Sequence, residues 1–182
     1  MLKRLSLSVF VVLLAALTLV GCSKGPGPEQ VASSFFSALT AADWEKANSF
    51  RSAEWQSGFT QPSPEDERLV NALVTKMSFE VGKATVTGQQ AQVPFDMTMP
   101  DLEKLLSAFM VELIALSAEL DQNTPEEELK VILEDKLLDL LERPELAYVT
   151  YEGTMRLQQE DGTWKVLALE GVEDFTNADL LD

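Results

Sequence analysis

Ser78-Phe79-Glu80-Val81-Gly82-Lys83-Ala84-Thr85-Val86-Thr87-Gly88-Gln89-Gln90-Ala91-Gln92-Val93-Pro94-Phe95-Asp96-Met97-Thr98-Met99-Pro100 is where the apolar period of this 182-residue chain changes from three-and-four spacing to two. A period of two places successive side chains on opposite faces of a strand, so Phe79 and Val81 alternate with Glu80, and Ala91, Val93, Phe95, Met97 and Met99 line one face of a partner strand. Gly82-Lys83 moves the phase onto Ala84 and Val86, which predicts a bulge. Thr87-Gly88-Gln89 supplies the turn, and Pro100 ends the second strand.

Upstream, the period is helical. Pro28 opens a helix with Glu29 in its first turn and Val31, Phe35, Phe36 and Leu39 on one face. Asp43 is placed to cap a second, short helix to about Phe50 that carries Trp44 and Ala47, and Trp55 and Phe59 follow in a less regular segment. Ser63-Pro64-Glu65-Asp66 predicts the start of a third helix running to about Met77, with Leu69, Ala72, Leu73 and Lys76 in register.

Downstream, residues 101–142 return to helical spacing. Leu102, Leu105, Leu106, Phe109, Met110, Leu113 and Ile114 make a wide apolar face on a helix from Asp101 to about Leu120. After Asp121-Gln122-Asn123, Thr124-Pro125-Glu126-Glu127 matches a capping box, and Leu129, Ile132, Leu133, Leu137, Leu140 and Leu141 form a facing stripe, so an antiparallel helical hairpin is expected. Pro144 closes it. Leu146 to Gln158 is strand-like, Asp161-Gly162 marks a hairpin turn, and Trp164, Val166 and Ala168 share a face of the last strand. Glu170 to Asp182 forms an acidic tail with Phe175, Leu180 and Leu181.

Helix, helix, helix, strand hairpin, helical hairpin, strand hairpin resembles the nuclear-transport-factor-2-like fold. The resemblance is carried by Pro28-Glu29-Gln30-Val31 to Phe35-Phe36-Ser37-Ala38-Leu39, by Asp43-Trp44-Glu45-Lys46-Ala47, and by Asp161-Gly162-Thr163-Trp164-Lys165-Val166. It implies an α+β fold, with N-terminal helices packed on a curved antiparallel sheet of about four strands and residues 101–142 as an inserted helical hairpin. The domain would span 28–170, with 171–182 as the tail. Members of that fold include isomerases, dehydratases and non-enzymatic binders, so the fold leaves activity open.

The N-terminus reads as an address. Lys3 and Arg4 precede an apolar run from Leu5 to Val20, the charged and apolar regions of a secretory signal, and the run is shorter than the roughly 20 residues a membrane span needs. It ends in Leu19-Val20-Gly21-Cys22, which resembles the lipobox of bacterial lipoproteins. The expected cleavage lies between Gly21 and Cys22, residues 1–21 being the signal. Cys22 would carry the lipid, a diacylglycerol thioether with a palmitate-type chain, and 22–27 would form a short tether. Two or three chains on one residue hold a protein at a bilayer without spanning it. The implied location is the bacterial cell envelope: the periplasmic face of the outer membrane where there is one, otherwise the outer face of the cell membrane.

Composition narrows the chemistry. Without residues 1–21 the chain has 12 basic and 30 acidic residues, a net charge of −18, which repels nucleic acid and anionic headgroups. Histidine is absent and Cys22 is the one cysteine, which removes Ser-His and Cys-His catalysis and the usual zinc, copper and iron ligands. Glu126-Glu127-Glu128 reads as helix-dipole chemistry rather than a cation site. No cofactor, metal or catalytic residue is expected.

Phe36, Trp44, Phe95, Phe109, Met110 and Trp164 are the candidate lining of an apolar pocket, against the plainer reading that they are core. The expectation is a non-catalytic, membrane-anchored protein that binds a protein partner or small ligand. A carrier or sensor of an apolar molecule between sheet and hairpin is the alternative, and a carboxylate-based isomerase or dehydratase is the weaker one.

Overall fold

Pro28 has no amide hydrogen to lose at the first helical position, and the chain turns into helix there: α1 (Pro28–Thr40) follows Gly27, and α2 (Trp44–Ser49) follows Asp43, whose carboxylate accepts from the Lys46 amide at 3.1 Å. The computed structural model describes residues 25–55, 61–118 and 124–172. Phe59, the Asp121–Asn123 turn, the signal with Cys22 and the tail beyond Val172 lie outside them.

Helix α3 (Glu67–Thr75) begins later than its capping signal predicts. The Ser63 hydroxyl accepts from the Asp66 amide and donates to the Asp66 carboxylate, so the Ser63-Pro64-Glu65-Asp66 stretch is used up in a turn ahead of the helix. Strands β1 (Ser78–Val81) and β2 (Thr85–Thr87) both pair antiparallel with β3 (Gln90–Pro100), and β4 (Tyr148–Glu160) and β5 (Thr163–Glu170) complete a sheet of order β1-β3-β4-β5. Five strands form where about four were expected, because the bulge splits the first. Ser78 faces Thr98 but Thr85 faces Gln92, a slip of one residue across Gly82, whose amide donates to the Pro94 carbonyl at 2.8 Å.

The fold is α+β, with helices packed on an antiparallel sheet. The inward residues of β3 predicted by alternation are all buried, Ala91 through Met99, and they meet Val31, Phe35, Phe36 and Leu39 of α1. On β5 the alternation fails after Val166. Arg156 of β4 faces Ala168 while Leu157 faces Val166, so Leu167 is an extra residue and Leu169, rather than Ala168, joins Trp164 and Val166 in the main core.

Between β3 and β4, helix α4 (Leu102–Ser117) starts on Asp101, which accepts from the Lys104 amide, and helix α5 (Glu126–Leu141) starts after Pro125 with no side-chain cap. The helix start is offset from the capping box at Thr124-Pro125-Glu126-Glu127, since Pro125 rather than Thr124 takes the cap position. The hairpin is antiparallel: Leu105 near the start of α4 packs with Leu140 and Leu141 at the end of α5. This cluster draws in Leu69, Ala72 and Leu73 of α3, and among the described residues Leu102 belongs both to its edge and to that of the main core. The hairpin thus builds a second, smaller core against α3. Ion pairs of Arg68 with Asp135, Lys76 with Glu142 and Lys130 with Glu65 run along the same seam.

Candidate functional site

Four places among the described residues bear on function: the interior under the sheet, the groove beside β1, a pocket of about 150 Å³ at the root of the hairpin lined by Asp101, Lys104, Arg143 and Glu145, and the outer face of the hairpin.

The interior is filled. Phe35, Leu39, Val93, Met97, Met155, Leu157 and Val166 are each less than 2% exposed. Among the described residues Ser52 is the buried polar one, and every Asp and Glu is at least partly exposed. Ser52 sits where the chain after α2 bridges to β5. Its amide donates to the Val166 carbonyl at 2.8 Å, and its hydroxyl donates to Glu160 Oε1 at 2.6 Å while accepting from Gln158 Nε2 and the Glu54 amide, each at 3.0 Å. A hydroxyl has one hydrogen and two lone pairs, so all three are used and none is left for attack on a substrate. The hydrogen bonds from Ser52 and Gln158 lower the Glu160 pKa, which fixes it as a carboxylate and not a proton donor near neutrality. Sequence reasoning missed this cluster, because Ser52, Gln158 and Glu160 share no motif and meet only through the fold.

Beside β1, α1 and the edge strand enclose an open groove of about 350 Å³ with Ser33, Phe36, Ser37, Thr40, Phe79 and Val81 on its walls. Ser37 donates to the Ser33 carbonyl and Thr40 to the Phe36 carbonyl, so these hydroxyl hydrogens are engaged within the helix. The floor is the Phe36–Phe79 stack.

The outer face of α4 runs against the usual pattern. Leu106, Met110, Val111 and Ile114 are 53, 57, 67 and 69% exposed. Beyond the first turn the remaining exposed positions are Ser107, Ala115, Ser117 and Ala118, so no charged side chain interrupts that surface. The charge on this part of the helix, Glu112, lies on the opposite side and pairs with Arg143, which lowers its pKa. An ordinary surface helix keeps its apolar stripe inward and its charges outward; α4 buries Leu105 and part of Phe109 and then exposes a second apolar stripe.

The predicted pocket residues are divided among these places. Phe36 and Phe95 are in contact, 4.9 Å between ring centroids, and belong with Trp44 and Trp164 to the main core. The Trp44 indole donates to Asn71 Oδ1 at 2.8 Å. Phe109 lies in the hairpin's cluster, and Met110 faces solvent. Glu126, Glu127 and Glu128 stand in the first turn of α5, and among the described residues no group of three or more metal-ligating side chains converges. Nor is any described helix long and apolar enough to cross a membrane.

No family profile and no curated protein sequence matches the chain. Among solved structures it is similar to a candidate calcium/calmodulin-dependent protein kinase type II association domain from Thiobacillus denitrificans, at 8% identity and a TM-score of 0.41 over 80% of this chain and 93% of that one. It is also similar to a candidate ketosteroid isomerase from Shewanella frigidimarina, at 12% identity and a TM-score of 0.41 over 76% of this chain and 89% of that one. A candidate lipoprotein, ycdA of Bacillus subtilis, aligns at 15% identity and a TM-score of 0.42 over 86% of this chain but 46% of its own. Likeness at this level assigns neither family nor activity.

Proposed function

We propose that this chain is a non-catalytic, lipid-anchored protein of the bacterial cell envelope whose nuclear-transport-factor-2-like domain holds a protein partner. The observation that carries the binding role is the exposed, uncharged face of α4, in a chain whose net charge is −16. Contiguous apolar surface of this kind on a soluble domain marks an interaction site. The filled interior supports binding over turnover, because among the described residues no carboxylate is buried within it. Anchoring rests on Leu19-Val20-Gly21-Cys22 behind an apolar run.

Membranes solubilised in mild detergent and run on a native gel test the binding role. The protein is expected in a complex well above the mass of its mature chain, which is smaller than the 20.1 kDa of the full sequence, and Met110→Glu should release it to the monomer position. Migration as a monomer from the start, or a turnover activity lost on a single interior substitution, overturns the reading. For the anchor, Cys22→Ala should leave the precursor unprocessed or free of the membrane; mature protein that still pellets with membranes counts against it.

The groove beside β1 favours a second reading, carriage or sensing of an apolar molecule that would lie on the Phe36–Phe79 stack. Native mass spectrometry of protein purified without its lipid anchor decides it: a mass above that of the bare chain, lost on Phe36→Ala, supports carriage, and consistently empty protein rejects it.

A further inference from the structure

The hairpin that carries the α4 face is acidic. Within the described parts of residues 101–147 there are 11 acidic and 4 basic side chains, a net charge of −7. Three of those four bases are already in ion pairs: Lys104 with Asp101, Lys130 with Glu65 and Arg143 with Glu112. Asp101, Glu112, Glu134, Asp135 and Glu142 are paired too, the last three with Arg68 of α3 and Lys76 at its C-cap, which leaves Glu103, Glu126, Glu127, Glu128, Asp139 and Glu145 as the hairpin carboxylates outside an ion pair among the described residues. A second copy of this chain would bring the same negative surface to the same place, and like-charge juxtaposition opposes that pairing. An anionic bilayer is opposed for the same reason.

Geometry also separates the face from the anchored end. Glu29, at the start of α1, accepts from the Ala84 amide, and Ala84 lies level with Val93 and Pro94 of β3. The hairpin is rooted at Pro100, roughly 23 Å further along that strand at about 3.3 Å per residue. The stripe itself runs Leu106, Met110, Ile114 at i, i+4, i+8, about 12 Å of helix, with Val111 beside it. That is the dimension of a helix-on-helix contact.

Resting on the reading of this domain as a partner-binding module, we propose that the outer face of α4 docks an amphipathic helix of another protein, with an apolar stripe flanked by Lys or Arg. Leu106, Met110, Val111 and Ile114 receive the stripe, and the net negative charge of the hairpin favours basic flanks and opposes acidic helices.

In-cell photo-crosslinking with the full, lipid-bearing chain tests this. Met110 is replaced by a benzophenone-bearing amino acid, and the adduct is mapped by mass spectrometry in the Ile114 background, in Ile114→Lys and in Ile114→Glu. Both substitutions remove the same apolar side chain and differ in charge. The expected adduct is to a basic amphipathic segment, with Ile114→Lys lowering its yield at least tenfold and Ile114→Glu lowering it at least fivefold less than Ile114→Lys does. Circular dichroism spectra of both variants should match the parent. Equal loss in the two variants, or an adduct to a neutral or acidic segment, overturns the proposed chemistry while leaving a bound partner. An adduct to a second copy or to lipid, or no adduct at all, overturns the docking surface itself.

Discussion

Phe36 of α1 lies face to face on Phe79 of β1, with ring centroids 3.9 Å apart and planes 9° from parallel, and Phe95 of β3 meets both rings at a tilt. The three rings fasten the first helix to the edge of the sheet. Strand β1 has one strand neighbour, β3, and the stack adds a contact between its Phe79 side chain and α1. Phe36→Ala is expected to cost about 3–5 kcal/mol in urea unfolding, the range for truncating a buried Phe. A double-mutant cycle with Phe79→Leu should show coupling of about 0.5–1.5 kcal/mol beyond burial; coupling near zero would mean the stack adds only buried area.

Gly153 is the counterpart on β4, directly opposite Phe95. A Cβ there would lie 2.5 Å from Phe95 Cζ and 2.9 Å from the Glu170 carbonyl oxygen. The ring cannot swing clear because Phe36 sits 4.9 Å away, and the carbonyl belongs to the β4–β5 ladder. Gly153→Ala should therefore destabilise by about 1–3 kcal/mol through overpacking, visible as a lower Tm. Adding Phe95→Leu should recover less than the whole loss in Gly153→Ala, since the clash with the backbone oxygen stays.

Alternation along Ala91 to Met99 and the three-and-four spacing of Val31, Phe35, Phe36 and Leu39 were enough to place the sheet face and the helix that covers it, because each pattern reports burial in one period. The phase slip at Gly82 was also legible. Leu167 was not: a bulge in β5 depends on how Arg156 and Leu157 of β4 pair across the ladder, which is information from a different segment. The same limit applied at Thr124-Pro125, where capping-box residues were present but proline took the cap position. For the candidate site, the excess of Leu and Met in the hairpin left three uses open, covering the sheet, enclosing a cavity or meeting a partner, and did not choose among them. Which side of α4 meets α3 and α5, and hence that Met110 faces out while Phe109 faces in, needed the packed structure.

Ser52 holds Glu160 in its charged form across the molecule, and this has a consequence for acid stability. A carboxylate whose folded pKa lies below its unfolded value contributes stability that is present above the unfolded pKa and lost as pH falls through the folded one. Glu160 is such a group, through the hydrogen bonds from Ser52 first and Gln158 second. Ser52→Ala should move the Glu160 titration upward towards the ordinary Glu value of 4.5, read by carboxyl NMR, and narrow the acid range over which the fold persists. An unchanged Glu160 titration in Ser52→Ala would show that Gln158 alone sets it.

Helix α4 predicts an asymmetry between its two faces that separates packing from recognition. Leu105 is 7% exposed and lies between Leu140 and Leu141 of α5, so Leu105→Ala leaves a cavity in a small core and should cost about 2–5 kcal/mol. Met110, at 57% exposure, is one turn further on and touches little, so Met110→Glu should change stability by no more than about 0.5 kcal/mol. If the outer stripe existed to stabilise the fold, the two substitutions would cost comparable amounts in chemical denaturation. A near-neutral Met110→Glu, beside a costly Leu105→Ala, assigns the apolar character of the outer face to something outside this chain, because folding alone would tolerate a charge there.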